Sequence, residues 1–203
     1  MSTIIITGGS GLIGTALSSL LSEKGHDVIS LSRNPPTGKA VASKLRYAGW
    51  DIAAQTIEPG VVEKADYIIH LAGAGVADKR WTGKRKKEIL DSRTQSSALL
   101  VKALKETPNQ VKAVISSSAI GWYGADPVIP NPHPFVETDP ADGAFLGETC
   151  RQWEESIEPV SQLGKRLVKL RTGIVLSTEG GALKEFIKPL GQAWPPYWEM
   201  VNR

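Results

Sequence analysis

Thr7-Gly8-Gly9-Ser10-Gly11-Leu12-Ile13-Gly14 follows the apolar run Ile4-Ile5-Ile6 and opens a helix-patterned segment from Leu12 to Leu21. The three isoleucines have the β-branched composition of a strand buried on both faces, as in a parallel sheet. Between strand and helix the chain must turn sharply. Gly8 allows the turn, Gly11 leaves room for a pyrophosphate to approach the backbone, and Gly14 lets the helix pack closely on the strand. The free N–H groups and the positive dipole end of the helix face the same place. Gly8, Ser10, Gly11, Leu12, Ile13 and Gly14 are therefore candidate contacts of a dinucleotide. No Gly-Lys-Ser/Thr follows, which excludes a P-loop.

Working outward, 203 residues suit a single α/β domain, a Rossmann-type doubly wound parallel sheet with helices on both faces. The expected partner is an unidentified small-molecule substrate. No apolar run is long enough to cross a bilayer, so no membrane partner is expected. Met1 leads straight into the first strand, and the single cysteine, Cys150, is compatible with a reducing compartment, so a cytoplasmic location is expected. A formal net charge of +3 suits an anionic small ligand and does not argue for nucleic acid.

Lys24-Gly25 ends the first helix and places His26 in an exposed connection. Val28 to Leu31 is the second strand, and at its end, where an NAD-specific fold would carry an acidic residue, stand Ser32 and Arg33. A guanidinium can pair with a 2′-phosphate that a carboxylate would repel. The expected cofactor is NADP(H). Asn34 to Gly38 is a loop, and a third strand runs from Leu45 to about Asp51. Tyr67 to Leu71 is the next strand; its His70 could serve as a ligand or base, but a lone histidine without a carboxylate partner in view is more often a satisfied core residue. It runs into Ala72-Gly73-Ala74-Gly75, small enough to lie against the adenosine half of a dinucleotide.

The basic stretch Lys79 to Lys87 contains one aromatic, Trp81, and reads as a solvated helix start rather than a nucleic-acid platform. A long amphipathic helix follows from Lys84 to Leu104. On it Glu88 and Arg93 point about 140° apart and cannot form one simple pair. Val111 to Ile115 is a strand delivering Ser116 to Gly124. The prolines between Pro127 and Pro140 dictate a surface loop over the carboxyl edge of the sheet. Phe145 to Ser161 is helical, and Arg166 to Arg171 is the sixth strand.

The Gly-x-x-Gly-x-x-Gly spacing resembles the short-chain dehydrogenase/reductase superfamily, whose members also carry an Ala-Gly step like Ala72-Gly73. The segment Ser117-Ser118-Ala119 to Tyr123-Gly124 resembles that of the extended members, such as nucleotide-sugar epimerases. By that resemblance Ser118 is the catalytic hydroxyl, with Ser117 as runner-up; the alternative is that these serines only satisfy backbone groups at a strand end. Ser32-Arg33-Asn34, Arg80-Trp81-Thr82, Ser92-Arg93, Trp153-Glu154, Leu170 to Leu176 and Gly180 to Leu183 narrow the resemblance to the atypical NAD-dependent epimerase/dehydratase-like group, including family 39U. The resemblance implies that Ser32, Arg33, Leu71, Ala72, Glu88, Arg93 and Val175 join the glycine loop as cofactor contacts.

The chain departs from that pattern twice. Active members use Tyr-x-x-x-Lys, in which the lysine lowers the tyrosine pKa for acid/base work. Here Leu146 and Cys150 occupy those places, and Cys150 has no evident base to make it a nucleophile. Residues 1–190 form the expected NADP(H)-binding domain, whereas 191–203 match nothing in the family. Back-translated from Trp194 and read two nucleotides later, the codons can encode Ala, a small residue, an aliphatic, Leu, Gly, Asn or Asp, Gly, then Lys, Gln or Glu, close to what the family would have. The expectation is a frameshift and a missing substrate lobe. Three readings follow: an oxidoreductase or epimerase, a non-catalytic NADP(H)-binding or sensing protein, or a fragment whose exposed edge is masked in a homodimer.

Overall fold

β1 (Thr3–Thr7) is paired on both sides, in parallel, with β2 (Asp27–Ser32) and with β5 (Tyr67–His70). Its side chains alternate between two apolar layers. Ile5 enters a cluster with Leu99, Leu100, Ile157 and Val160, while Ile4 and Ile6 meet Val28, Leu45, Leu17 and Leu21. Covering on both faces is what makes three consecutive isoleucines tolerable in one strand.

The structure, a computed structural model, describes residues 1–35, 44–183 and 186–187. Its first unit, Met1–Arg171, carries a seven-stranded sheet, whose remaining strands are β3 (Leu45–Asp51), β4 (Thr56–Ile57), β6 (Ala113–Ala119) and β7 (Arg166–Thr172). The order is β4-β3-β2-β1-β5-β6-β7. α1 (Leu12–Glu23) lies on one face; α2 (Gly83–Glu106), α3 (Phe145–Ile157) and α4 (Pro159–Gln162) supply the apolar residues of the other. The expected doubly wound fold is the observed one. In the second unit, Thr172–Arg203, Leu176 and Gly181 form an antiparallel bridge. The loop expected from Asn34 to Gly38 lies in part, and the tail 191–203 wholly, outside the described residues.

Several boundaries differ for physical reasons. Pro159 lacks an N–H and starts a new turn at Glu158, so the helix expected to reach Ser161 is two helices. The strand expected to stop at Ile115 continues through the serines to Ala119, because Ser116 and Ser118 turn to the buried face, where their hydroxyls find acceptors. β4 is a two-residue antiparallel addition to β3, too short to leave a period in the sequence. His26 is half-buried rather than exposed. Within the solvated start of α2, Arg85 is buried.

At the carboxyl ends of β1 and β5 runs a buried polar chain. The Thr7 hydroxyl accepts the N–H groups of Leu71 (3.1 Å) and Ala72 (3.2 Å), so its own proton goes to His70 Nδ1 at 2.7 Å. Nδ1 is thereby the acceptor nitrogen, and Nε2–H donates toward Ser97 Oγ (3.2 Å) and Ser96 Oγ (3.4 Å). Ser96 passes its proton to the Ser92 carbonyl. His70 is the satisfied core histidine expected, held neutral: burial, with Arg93 nearby, pushes its pKa from the ordinary 6.5 down to about 3.

This depressed value fixes a pH dependence. Between pH 6.5 and about 3 the unfolded chain takes up a proton at this residue and the folded chain does not, so stability is full above 6.5 and falls on acidification. The expected slope from His70 is up to about 1.4 kcal/mol per pH unit. Urea unfolding from pH 7 to pH 5 should show this component in the wild type and not in His70→Gln; equal slopes would remove His70 as its source.

Candidate functional site

Because β1, β2 and β5 are parallel, their carboxyl ends open on one edge, and the direction of connection reverses between β1 and β5. That is where ligands bind in open α/β sheets. A cleft of about 650 Å³ occupies this edge. Gly8, Ser10, Gly11, Ser32, Arg33, Leu71, Ala72 and Glu88, all expected cofactor contacts, line it.

The glycine loop is built as its spacing implies. Gly8 has φ +69°, and a Cβ there would stand 2.8 Å from the Leu71 carbonyl oxygen. A Cβ on Gly14 would collide with the Gly8 carbonyl, so Gly14 admits α1 against the loop itself rather than against the strand. Among the described residues no side chain caps α1, and its first-turn N–H groups have no partners within the helix. A backbone cradle closed to side chains, with uncapped donors at a helix start, fits a pyrophosphate. Ile13 and Gly14 sit in that first turn with Leu12, behind the cleft wall rather than on it.

At the other side of the cleft, Arg33 is exposed at the end of β2 and has no ion-pair partner among the described residues. Asn34 donates its N–H to Ser32 Oγ at 3.2 Å, which shapes the turn presenting the guanidinium. Trp50 and Ile52 also line the cleft and were missed in the sequence. Their signal was position: they end the strand next to β2. Asp78, Lys79, Arg85 and Ser92 were missed as well, Lys79 and Arg85 because they stand in what reads as a solvated basic run.

Arg93 is not among the lining residues. It donates to the Ala74 carbonyl (3.0 Å) and the Ile89 carbonyl (2.8 Å), and it lies 4.9 Å from the centre of the Trp153 ring. Burial pushes its pKa down. Glu88 pairs with Arg85 at 2.8 Å, so the two residues go separate ways, as their spacing requires. Val175 belongs to the second unit.

The places of the missing dyad face the end of β6. A Cβ on Gly121 would lie 3.2 Å from Leu146 Cβ and 3.7 Å from Cys150 Sγ, and Cys150 donates weakly to the Ala119 carbonyl at 3.7 Å. Burial pushes the Cys150 thiol up, against a nucleophilic role. Ser118 is buried and donates to Glu154 Oε1 at 2.7 Å. Arg171 holds both oxygens of Glu154, at 2.9 and 3.2 Å, lies 3.7 Å from the Trp122 ring centre, and donates to Tyr123 Oη and the Glu137 carbonyl at 3.0 Å each. Burial raises the Glu154 pKa, but the bonds from Arg171 and Ser118 outweigh it and hold the carboxyl below its usual range. The structure thus ties Ser118 to α3 and β7 and does not bring it to the cleft. Among the described residues no cluster of His, Cys, Asp or Glu could hold a metal, and no helix is long and apolar enough to cross a membrane.

A parallel sheet with a glycine cradle and a cleft at its switch point defines a doubly wound nucleotide-binding protein. The chain belongs to the NAD dependent epimerase/dehydratase family, whose model matches residues 4–143. It is similar to an epimerase family protein of Mycobacterium bovis, at 34% identity over 92% of this chain and 58% of that one. A Staphylococcus aureus epimerase family protein is also 34% identical, over 93% and 60%. The chain therefore spans about three fifths of the length of these relatives. Among solved structures, the human epimerase family protein SDR39U1 with NADPH superimposes with TM-score 0.75 at 29% identity, covering 92% of this chain and 59% of that one. A nucleoside-diphosphate sugar epimerase from Corynebacterium glutamicum gives TM-score 0.75 at 33% identity, over 94% and 38%.

Removing the guanidinium at 171 leaves the buried Glu154 with the Ser118 hydroxyl and, among the described residues, Lys169 at 3.6 Å as its one remaining cation. Arg171→Met should cost about 3 kcal/mol by urea unfolding. A loss below about 1 kcal/mol would mean that the pair is no more than a surface contact.

Proposed function

We propose that the chain binds NADP(H) and is the nucleotide-binding part, residues 1–190, of an oxidoreductase or epimerase acting on an unidentified small-molecule substrate. The observation that carries this reading is the exposed Arg33 at the end of β2, on the same cleft as the glycine cradle. A planar guanidinium can grip a 2′-phosphate through two charge-assisted bonds. The human relative's structure with NADPH supports the same cofactor. When bound, such a cofactor would supply hydride chemistry; this chain's residues would position it, Gly8 and Gly11 by admitting the pyrophosphate and Arg33 by selecting the phosphorylated ribose.

A second reading, a non-catalytic NADP(H)-binding or sensing protein, is favoured by Leu146 and Cys150 in the places of the acid/base pair and by the commitment of the Ser118 hydroxyl to Glu154. For the catalytic reading, Ser118 would exchange that bond for one to substrate.

Calorimetric titration with NADPH and with NADH tests the cofactor. Tight binding with an NADPH preference is expected; a folded sample that binds neither would overturn the reading. Arg33→Asp should weaken NADPH binding by roughly 10- to 100-fold and NADH binding far less. Equal losses would remove Arg33 as the phosphate contact. Gly11→Val should abolish binding of both cofactors in a folded domain, since a branched side chain would occupy the pyrophosphate approach. Retained binding would place the pyrophosphate elsewhere.

A further inference from the structure

The segment Ala72 to Asp78 forms one wall of the cleft and has no regular secondary structure. Its backbone is nevertheless held from α2 at successive peptides. Ala74 N–H donates to Ser92 Oγ at 2.9 Å, the Ala74 carbonyl accepts from Arg93 Nη1 at 3.0 Å, and the Gly75 carbonyl accepts from Arg85 Nη2. Arg85 also meets Asp78 Oδ2 at 3.3 Å and Glu88 Oε2 at 2.8 Å. Its side chain is only 7% exposed, whereas those of Asp78 and Glu88 are 64% and 55% exposed. Its Nε is buried with no hydrogen-bond partner among the described residues. A guanidinium at a helix start could hydrate every N–H by swinging outward. This one stays in, with a donor unsatisfied, and what it gains there is the loop.

The two glycines of the segment give independent support. A Cβ on Gly75 would fall directly on the Asp78 carboxylate, and one on Gly73 would lie 3.0 Å from Arg93 Cζ. The small residues expected to lie against a ligand are therefore also small to admit the groups of this latch from two sides.

We propose that Arg85, acting through Gly75 and Asp78, is a positioning residue that sets the Ala72–Asp78 wall at the separation a dinucleotide needs. The proposal rests on the cofactor reading above. Arg85 acts on the wall and not on the 2′-phosphate, so its loss weakens both cofactors alike. Gly75→Ala reaches the same latch by a milder route: Gly75 has no positive φ, and the added methyl has only to push an exposed carboxylate aside.

The test combines amide hydrogen exchange over peptides spanning 72–78 with NADPH and NADH titrations of the wild type, Arg85→Met, Arg85→Lys and Gly75→Ala. Expected are faster exchange confined to this segment in Arg85→Met and Gly75→Ala, and a loss of about tenfold in affinity for both cofactors at an unchanged NADPH/NADH ratio. Arg85→Lys, keeping the charge and one donor, should recover part of both effects. Unchanged exchange in the segment, unchanged affinity in folded variants, or a loss confined to NADPH would each overturn the proposal. A wild-type chain that binds neither cofactor would instead overturn the cofactor reading and the link to affinity, and exchange would still decide whether the latch holds the wall.

Discussion

The oxygen of Thr7 is the point on which the cleft depends. Two backbone N–H groups from the end of β5 converge on it, and its proton is passed to a neutral histidine behind them. β1 and β5 are already joined by their ladder, but a ladder stops where strands end and chains diverge. The hydroxyl carries the registration two residues further, just where one chain turns into the glycine cradle and the other into the Ala72–Asp78 wall. With Gly8 lying against the Leu71 carbonyl, the two walls leave the sheet from a fixed origin.

From that origin the α2 helix holds one wall and α1 backs the other. α2 uses Ser92, Ser96 and Ser97 near the polar chain and Arg85 and Arg93 against the wall, while Ile89, Leu99, Leu100 and Leu104 keep it on the sheet. A helix with so polar a buried face would be a poor core element on area alone. Each of these polar groups has an acceptor or donor in the adjoining loop or strand end, so a single orientation of the helix satisfies them together.

The fold was legible because its strongest signals are local: an isoleucine triplet, a glycine spacing, a strand ending in Ser32-Arg33. Parallel pairing then brings these separated stretches to one edge without further information. What was not legible depends on partners remote in sequence. Arg85 reads like its neighbours Lys84 and Lys86, yet it is buried and holds the Gly75 carbonyl and Asp78. Ser118 reads as a catalytic hydroxyl or one that satisfies backbone groups, yet it is bonded to Glu154, 36 residues away, which Arg171, 53 residues away, holds in turn. The helix break at Pro159 was, by contrast, written in the sequence as a missing donor.

The two ends of the carboxyl edge differ in chemical character. At β1, β2 and β5 the structure presents uncapped N–H groups, a guanidinium with no ion-pair partner among the described residues, and a wall held in place. At β6 it presents groups already satisfied by one another: a thiol turned to a carbonyl, a serine bonded to a carboxylate, and that carboxylate clamped by an arginine lying on Trp122. Drawing Arg171 away from Glu154 to admit substrate would leave a charge unpaired in a buried setting, a cost of several kcal/mol. Binding at the first end incurs no such cost, because donors and space are preformed. The proposed nucleotide site therefore stands on the ground-state geometry of this chain, whereas any chemistry at β6 requires the Glu154 network to reorganise or a proton-transfer group to enter from outside it.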